Sequence, residues 1–424
     1  MKIKNKFIVP LFGIAMAVCG CSDGDAPEPV VENDDTKSLG FEILTIPNTP
    51  TIELSAEEKV VNDSLNSFAF KFLNAAAINY NDVYPDKDGN YTVSPLSASI
   101  CMALIAEGLD EANRAQVANT LGNTSPELLG STCNKLMRYL SRNNEGEQVE
   151  LANSVWYQKG FKVLDSYVKS VNDIYYSEVV GVDMADKATV DLVNKWCDIK
   201  THGLIDRILD EPCGYEVLVA NALYFSASFS EPFSKKNTRT MQFNGSEKDS
   251  DVPIMTQQTL QYYAVTDRFQ AMTLPLFGRL SIAFLLPEGD LTADELSATL
   301  SYDEWKAIRY TSKHLDIRLP KFNIEASGHI TRLMAKFGFP AAANLSGMGI
   351  DRNCAIDVNQ KTTMELDETG VKGAAVTWGG MSTSSGDNQV KPTYHPFYVV
   401  RPFVFIVYDE RSETVLMAGR IDNL

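Results

Sequence analysis

Residues 361–376 read KTTMELDETGVKGAAV, and the chain continues as TWGGMSTSSGDN to residue 388. The first part alternates apolar and polar side chains like a strand, whereas the rest is filled with glycine, alanine, serine and threonine, which weaken a permanent strand. Two strongly hydrophobic segments lie close by in the sequence, FYVVRPFVFIVYD (397–409) and ETVLMAGRI (413–421). We infer that a requirement other than folding stability selected residues 368–388.

Outward from this stretch, the second half of the chain has the pattern of strands. EVLVANALYFSASF (216–229), RLSIAFLLP (279–287) and HLDIRLPKF (314–322) are β-branched, aromatic or alternating, and in the last of them Leu315, Ile317 and Leu319 face one way. The first half has helical periodicity, beginning at a capping box formed by Ser55 and Glu58. Helices followed by long strands, without βαβ alternation, predict one α+β domain with antiparallel or mixed sheets.

The composition is that of a globular protein with an acidic surface. Of the 424 residues 44% are hydrophobic, and the formal net charge is -17. Nucleic acid is excluded as a partner, because phosphate contacts need clustered lysine and arginine. Lys135, Arg138 and Arg142 recur at spacings of three and four on a predicted helix. Such a stripe could bind a polyanion, although a solvated helix face is the simpler interpretation.

The N-terminus has the pattern of an export signal. Three lysines precede a short apolar run in MKIKNKFIVPLFGIAMAVCGCS, and the run is too short to span a bilayer. Residues 18–21, VCGC, resemble the lipobox of bacterial lipoproteins, which predicts removal of residues 1–20 and attachment of a lipid to Cys21. An ordinary cleaved signal with two incidental cysteines is the alternative.

A tether follows the predicted lipid. In residues 21–50, Cys21 is followed by an acidic, proline-containing sequence, SDGDAPEPVVENDDTKS, and we expect a flexible link to a folded domain at residues 51–424. The acidic run after Cys21 resembles a surface-export signal, so we expect an exported lipoprotein of the outer membrane or cell surface.

No enzyme motif is present in the sequence, so we predict neither catalysis nor a cofactor. HExxH, GxxxxGK[ST], GxSxG and metal-binding Cys/His spacings are all absent. The four histidines stand outside any motif, and each is assigned a structural role. No metal ligand is assigned. We interpret the remaining cysteines as buried free thiols, and they are Cys101, Cys133, Cys197, Cys213 and Cys354.

From about residue 55 onward the chain resembles a serpin. The segments that carry the resemblance occur in family order: SPLSASICMALIAEGL (94–109), LANSVWY (151–157), VNKWCDIKTHGLI (193–205), VLVANALYF (217–225), EPF (231–233) with Thr238 and Phe243, LPLFGRLSIAFLLP (274–287), LPKFNIE (319–325), KTTMELDETGVKGAAV and RPFVFIVYDERSETVLMAG. The resemblance implies the serpin fold: a large central mixed β-sheet, two further sheets, about eight or nine helices, and an exposed reactive-centre loop at about residues 368–392. Phe229, Ser226 and Gln360 depart from the family's usual Trp, Lys and His.

The resemblance also assigns roles to residues. Beneath the central strands, a polar group that holds the sheet closed and lets it open, the shutter, would comprise Ser94, Ser97, Asn221 and Gln360. The hinge and the strand that inserts into the sheet after cleavage would include Glu368, Gly370, Val371, Gly373, Ala374, Ala375, Val376 and Thr377. Family spacing puts the reactive bond between Ser384 and Ser385, with Thr383 and Met381 as nearby alternatives. The loop between this bond and RPF is about seven residues longer than is usual, so the register of the bond is less fixed.

Strand alternation explains the small residues of the loop. Once inserted, Val371, Gly373 and Ala375 would face the core, whereas Lys372, Ala374 and Trp378 would face outward. The only charge and the only large ring of residues 371–384 therefore share the outward face.

The resemblance implies an irreversible, suicide-type inhibitor of a protease. Because no Lys or Arg lies between Lys372 and Lys391, a trypsin-like target is disfavoured. Met381, Ser382, Thr383 and Ser384 near the bond suit proteases with small or shallow apolar specificity pockets. Such pockets occur in elastase-like and subtilisin-like serine proteases, and papain-like cysteine proteases are a further class. The alternative is a non-inhibitory binding or scaffold lipoprotein with a serpin fold. We expect a monomer that is attached to the membrane through the lipid on Cys21.

Overall fold

The computed structural model describes residues 39–80, 89–203, 205–212, 214–371 and 392–424. The α-helices in these residues are α1 (Ala56–Ile78), α2 (Pro95–Ala106), α3 (Glu111–Gly122), α4 (Pro126–Leu140), α5 (Asp165–Tyr175), α6 (Lys187–Lys200), α7 (Ala293–Thr299), α8 (Tyr302–Ala307) and α9 (Thr331–Ala335). The first begins as the sequence predicts, because Ser55 and Glu58 form both bonds of a capping box. Within these residues, no helix combines the length and the apolar character needed to cross a membrane.

The strands follow in chain order. They are β1 (Tyr91–Val93), β2 (Arg142–Asn144), β3 (Glu147–Gln158), β4 (Ser177–Val182), β5 (Val217–Ser228), β6 (Arg239–Asn244), β7 (Asp249–Val265), β8 (Phe269–Pro275), β9 (Leu280–Pro287), β10 (Thr311–Pro320), β11 (Phe322–His329), β12 (Ala342–Leu345), β13 (Ile350–Asp367), β14 (Gly370–Val371), β15 (His395–Tyr398), β16 (Phe403–Asp409) and β17 (Val415–Ile421).

The strands form two large sheets. The central sheet has the order β11-β13-β14-β5-β3-β2, with β4 paired to β3 and β12 to β13, and it is mixed because the β3–β4 and β5–β13 pairs are parallel. The other nine strands form a continuous sheet in which the long strand β7 pairs with β6, β8 and β10. This arrangement confirms the predicted α+β class. The two further sheets expected from the sequence are here one continuous sheet, because the long strand β7 connects them.

The central sheet is buried on both faces along much of β5. Every residue of β5 is buried, because odd-numbered residues such as Val219 pack into the main core whereas even-numbered ones such as Leu218 pack against α6 through Trp196. Helix α2, in which every residue is buried, also packs against β5. Strands covered on both faces become continuously hydrophobic, which explains the run VLVANALYF.

A segment before the first helix packs on the body of the protein, and we call residues 39–54 the strap. The ring of Phe41 meets Trp156 edge-on, with 5.6 Å between ring centroids. The backbone of Leu44 donates to Glu178 Oε1 (2.8 Å) and accepts from Lys200 Nζ (2.6 Å). The folded part therefore begins earlier than the predicted tether of residues 21–50 implies, because FEILTIP (41–47) carries large apolar side chains.

The predicted basic stripe on a helix is wrong. Helix α4 ends at Leu140, because Ser141 adopts an extended backbone conformation, and Arg142 then starts β2. The Arg142 side chain is buried and pairs with Glu147 and Asp409, at 2.6 and 2.7 Å. No stripe of three cations is available on α4 for a polyanion.

The interpretation of the cysteines as buried thiols is confirmed where they are described. Cys101, Cys133, Cys197 and Cys354 are free and buried. Burial raises the pKa of Cys133 and Cys197 to about 12, so these thiols are un-ionised near neutral pH. Cys213 and Cys21 lie outside the described residues.

Candidate functional site

The site is an opening in the central sheet between β5 and β13. The two strands pair directly in parallel from Ile356↔Val217 to Lys361↔Ala222. Beyond that point they pair with each other no further, although both continue, to Ser228 and Asp367. Among the described residues, no strand lies between residues 223–226 of β5 and residues 362–365 of β13, and we call this stretch the opening.

Two of the predicted hinge residues, Gly370 and Val371, lie at the far end of this opening. In β14, Gly370 pairs with Ser228 and Val371 with Ala227 on one side, while Leu366 and Asp367 pair with the same two residues on the other. Both pairings are antiparallel. Gly370 and Val371 thus form a two-residue strand between β5 and β13.

Each residue of β14 suits its position. The Val371 side chain is 3% exposed and joins the main core, which is the inward orientation that strand alternation predicts. Gly370 has φ +146°, and a Cβ added there would collide with the backbone oxygen of Ala227. Glycine is therefore required for the close approach to β5.

The carboxylate of Glu368 fixes the turn before β14. Its Oε2 lies 2.8 Å from Lys321 Nζ, and its Oε1 accepts a hydrogen bond from the Thr238 hydroxyl at 2.7 Å. Burial opposes ionisation of Glu368, but the hydrogen bonds from Lys321 and Thr238 outweigh it and lower the pKa to about 2. The Glu368 side chain is therefore ionised near neutral pH. It links Lys321, the residue that precedes β11, to the turn before β14.

The backbone of the same turn is held from the other side. The amides of Phe229 and Phe233 donate to the carbonyl oxygens of Thr369 (2.7 Å) and Glu368 (2.9 Å). The two phenylalanine rings pack edge to face, with 5.5 Å between centroids, and both are buried. Phe229 thus fills a packed position where the family usually has Trp.

The shutter residues lie at the end of the opening where β5 and β13 are paired directly, opposite to β14. Gln360 Oε1 accepts from the Ser94 amide at 3.1 Å, and Gln360 Nε2 donates to the Ser94 carbonyl at 3.0 Å. The Ser94 hydroxyl caps α2 by accepting from the Ser97 amide and donates to Leu416 O. Gln360 on β13 is therefore joined to the first turn of the buried helix beneath the sheet.

Asn221 lies opposite Gln360 in the last part of the closed region. The two residues are register partners, and Asn221 Nδ2 donates to Asn153 Oδ1 on β3 at 2.8 Å. Among the described residues, no hydrogen-bond partner is found for the buried Asn221 Oδ1 or Ser97 Oγ. Buried oxygens without a hydrogen-bond partner are destabilising. Two such oxygens therefore belong to the shutter residues near the end of the β5–β13 pairing.

Sequence reasoning missed several partners of these residues. Lys321 and Thr238 lie in segments that carry the resemblance, LPKFNIE and the stretch after EPF, but nothing local marks them as partners of Glu368, which is 47 and 130 residues away. Asn153 lies within LANSVWY and was likewise not singled out. Covarying positions in related sequences are the signal that could have found such pairs.

Most of the predicted inserting strand and the predicted reactive bond follow Val371, the last described residue before the loop. Gly373, Ala374, Ala375, Val376, Thr377, Met381, Thr383, Ser384 and Ser385 all lie outside the described residues. Glu368, Gly370, Val371 and the four shutter residues are described, and they lie at the two ends of one opening.

Comparison with known proteins identifies the family. The model of the serpin (serine protease inhibitor) family matches residues 63–424. The chain belongs to the serpin family. Serpins are typically protease inhibitors rather than catalysts, and they act on target proteases.

Relatives of this serpin come from distant organisms. An uncharacterized serpin-like protein of Thermococcus kodakarensis is 28% identical over 421 residues, which cover 94% of this chain and 93% of the relative. Iripin-3 of Ixodes ricinus is 26% identical over 357 residues, covering 79% of this chain and 89% of the relative.

Solved structures share the fold of this serpin. The native state of the thermophilic serpin Tengpin superposes with a TM-score of 0.74 at 23% identity, over 89% of this chain and 98% of that one. Thyroxine-binding globulin in complex with thyroxine also gives a TM-score of 0.74, at 20% identity, over 85% of this chain and 98% of that one. These two similarities establish the fold of this serpin.

Proposed function

We propose that this serpin is an irreversible, suicide-type inhibitor of elastase-like or subtilisin-like serine proteases, with papain-like cysteine proteases as a further target class. The observation that carries the proposal is the open centre of the main sheet with β14 already paired at its far end. A target protease would cleave the loop and form an acyl bond, after which the loop would enter the opening as a new strand. Strand addition of this kind is an established serpin behaviour.

The register of β14 supports insertion of small residues. Continued antiparallel from Val371↔Ala227, it would bring Gly373 opposite Phe225 and Ala375 opposite Leu223, both of which belong to the main core. Lys372 would fall between Ser226 and Glu365, on the other face. A large or charged side chain at residue 373 or 375 would meet a packed core, which costs several kcal/mol.

The sheet is long enough for the whole insert. From Val371 to the proposed reactive bond after Ser384, the strand reaches roughly 45 Å at about 3.3 Å per residue. Strand β13 has 18 residues and spans roughly 60 Å at the same rise. Insertion would carry the acylated protease along most of the sheet, and distortion of its active site would then prevent release by water.

The proposed location is the surface of the producing cell. An N-terminal lipid on Cys21 would attach an exported bacterial lipoprotein to the outer membrane, with the inhibitor domain displayed on the acidic segment that precedes the strap. The target in this arrangement is a protease that reaches the membrane surface from outside.

The test is covalent complex formation. The domain beginning at residue 39 is incubated with pancreatic elastase, subtilisin and papain, and the products are separated on denaturing gels while the released C-terminal peptide is sequenced. We expect a stable complex with at least one protease and a peptide that begins at Ser385 or within a few residues of it. Cleaved serpin beside fully active protease, with every enzyme, would contradict inhibition and favour a non-inhibitory binding or scaffold role.

Two arginine substitutions test the register independently. Gly373→Arg puts a charge on the core-facing side of the inserting strand and should convert the inhibitor into a cleaved substrate. Ala374→Arg puts the same charge on the outward side and should leave most of the complex yield intact. Equal yields from both variants would refute the proposed register.

A further inference from the structure

A cavity lies between the strap and the central sheet, and we call it the strap cavity. Its volume is about 470 Å³. Its walls come from the strap, from the junction of α4 and β2, from residues 149–152 of β3 and from the end of α6. Protein cavities of roughly 300–1,000 Å³ bind drug-sized molecules. The strap cavity therefore has the size of a small-molecule site.

Part of the wall of the strap cavity is aliphatic. Ile43 and Ile46 line it on the strap, Leu151 lines it on β3, and Ile199 lines it at the end of α6. Contact with these residues removes apolar surface of a bound molecule from water, which is the dominant favourable contribution to most binding. The wall therefore favours a molecule with an apolar body.

The charged side chains of the wall are already paired. Arg142 contacts two buried carboxylates, at N–O distances of 2.6 and 2.7 Å, and Lys200 contacts one at 2.9 Å. His202 Nε2 lies 2.8 Å from Glu150 Oε1. A charged ligand would give up its hydration here without gaining a free counter-ion, which is unfavourable. The strap cavity therefore selects an uncharged molecule.

A gap at the edge of the central sheet offers hydrogen bonds to such a molecule. Strand β2 pairs with β3 only as far as Val149, and β4 pairs with β3 only from Asn153 onward. Within the described part of the chain, no strand pairs with residues 150–152 on this edge. Because the amide and carbonyl groups of a strand alternate between its two edges, backbone groups of β3 are directed into the gap without a strand partner.

Ser141 supplies a second polar group to the wall. The residue lines the strap cavity and is 7% exposed, and its hydroxyl has no hydrogen-bond partner among the described residues. A buried hydroxyl without a partner is destabilising. Since serine hydroxyls rotate between staggered positions, a molecule in the cavity can supply the missing bond.

We infer that the strap cavity binds an uncharged, largely apolar small molecule that carries one hydrogen-bonding group. Such a molecule would contact the strap, β3 and α6 at the same time. The inference is independent of the proposed function, because no residue of the cavity wall belongs to the predicted loop, hinge or shutter.

The test uses two fluorescent probes that share one ring system. Phenylnaphthylamine is uncharged and has one N–H group, whereas anilinonaphthalenesulfonate has the same rings and a sulfonate. Each probe is titrated into purified serpin near neutral pH, and binding is followed by the rise in probe fluorescence. We expect one site per chain with a micromolar dissociation constant for phenylnaphthylamine, and at least tenfold weaker binding of the sulfonate.

Two tryptophan substitutions on the strap locate the probe. Ile46 and Ile52 are both partly buried and pack against the main core, but only Ile46 lines the strap cavity. Ile46→Trp fills part of the cavity and should weaken the binding of phenylnaphthylamine at least tenfold. Ile52→Trp is the matched control and should bind the probe within twofold of the unmodified serpin. The melting temperature of each variant is measured to confirm that it folds.

Ser141→Ala provides a variant that does not depend on tolerance of a large side chain. The Ser141 hydroxyl has no bond to lose in the unliganded protein, so the melting temperature should not fall. Loss of the hydrogen bond to the probe should weaken the binding of phenylnaphthylamine about threefold.

Three outcomes would refute the inference. The first is no rise in phenylnaphthylamine fluorescence with the unmodified serpin. The second is equal affinity of the probe for the folded Ile46→Trp and Ile52→Trp variants, which would place the probe elsewhere on the protein. The third is binding of the sulfonate as tightly as the uncharged probe. None of these outcomes bears on the proposed function, because complex formation with a protease is measured without either probe.

Discussion

The carboxylate of Glu368 connects three parts of the chain that are far apart in sequence. It binds Lys321 and Thr238 through its side chain, while its carbonyl accepts from Phe233. Because Gly370 and Val371 follow closely, this side chain helps to fix the position of β14, together with the backbone bonds from Phe229 and Phe233. Loss of its charge should loosen the hinge before it affects the rest of the sheet.

Glu368→Gln should reduce stability at neutral pH by about 2 kcal/mol, the usual range for hydrogen bonds to a charged group. The folded pKa of about 2 is lower than the ordinary value of 4.5, so the contribution of the carboxylate is fully present above pH 4.5. It is lost as the pH falls toward 2. Urea midpoints at pH 7, 4 and 2.5 should therefore show a difference between variant and unmodified serpin that shrinks with acidification.

The Lys321→Gln variant provides the control for this prediction. If the two side chains act as one pair, the double variant should be little less stable than either single variant. A pH-independent difference for Glu368→Gln would instead assign its effect to packing.

The location of these residues could be predicted from the sequence better than their partners could. Glu368, Gly370 and Val371 stand in an unbroken motif, and strand alternation predicts the inward orientation of Val371. Lys321 and Thr238 approach Glu368 only because β11 and β6 begin next to the hinge. That proximity depends on strand order, which one sequence does not encode locally.

The strap and helix α6 show how an element far from the loop supports the central sheet. Lys200 at the end of α6 pairs with Glu178 on β4 at 2.9 Å and donates to the Leu44 carbonyl. Both charged side chains are largely buried, at 10% and 2% exposure. The pair therefore joins the strap, the helix that covers the sheet and a strand of that sheet.

Lys200→Met should destabilise the native state by about 3 kcal/mol, because it leaves the Glu178 carboxylate buried without its cation. Lys169→Met is the matched control, since the Lys169–Asp173 pair is exposed at 76% and 60% and such pairs contribute less than about 1 kcal/mol. Thermal unfolding of both variants measures the difference. Equal melting temperatures would show that the strap and α6 are held by apolar contacts instead.

Elements with strong periodicity were predictable, and their ends were not. Periodicity predicted a helix continuing to residue 142, but the chain leaves the helix at Ser141 because Arg142 has two buried carboxylates to neutralise. The strap was missed for a related reason. Its few apolar residues have no period of their own, and they are ordered by contacts with Trp156 and Lys200.

Under the proposed function, the central sheet of this serpin accepts one more strand, so the native state need not be the most stable one. Cleavage near Ser384 should release the loop to extend β14 along the opening and add pairings on both sides. Nicked protein should therefore melt tens of degrees above intact protein. Differential scanning calorimetry before and after a short treatment with elastase measures the change.

The Gly373→Arg variant is the control for this experiment. It should be nicked at the same bond without the full rise in melting temperature, because its loop cannot complete the strand. A small rise in the unmodified serpin would contradict insertion and indicate a passive loop.

Under the proposed function, β14 is already formed, so the time course of inhibition depends on the part of the central sheet in which β5 and β13 are still paired. Starting a new strand normally costs ordering entropy before any pairing is gained, and here that initiation step is complete. What remains is to separate six parallel pairs between β5 and β13 and to break the two bonds between Gln360 and Ser94. Under the proposed function, the slow step that competes with deacylation of the protease is the opening of the shutter. The shutter lies at the opposite end of the opening from β14.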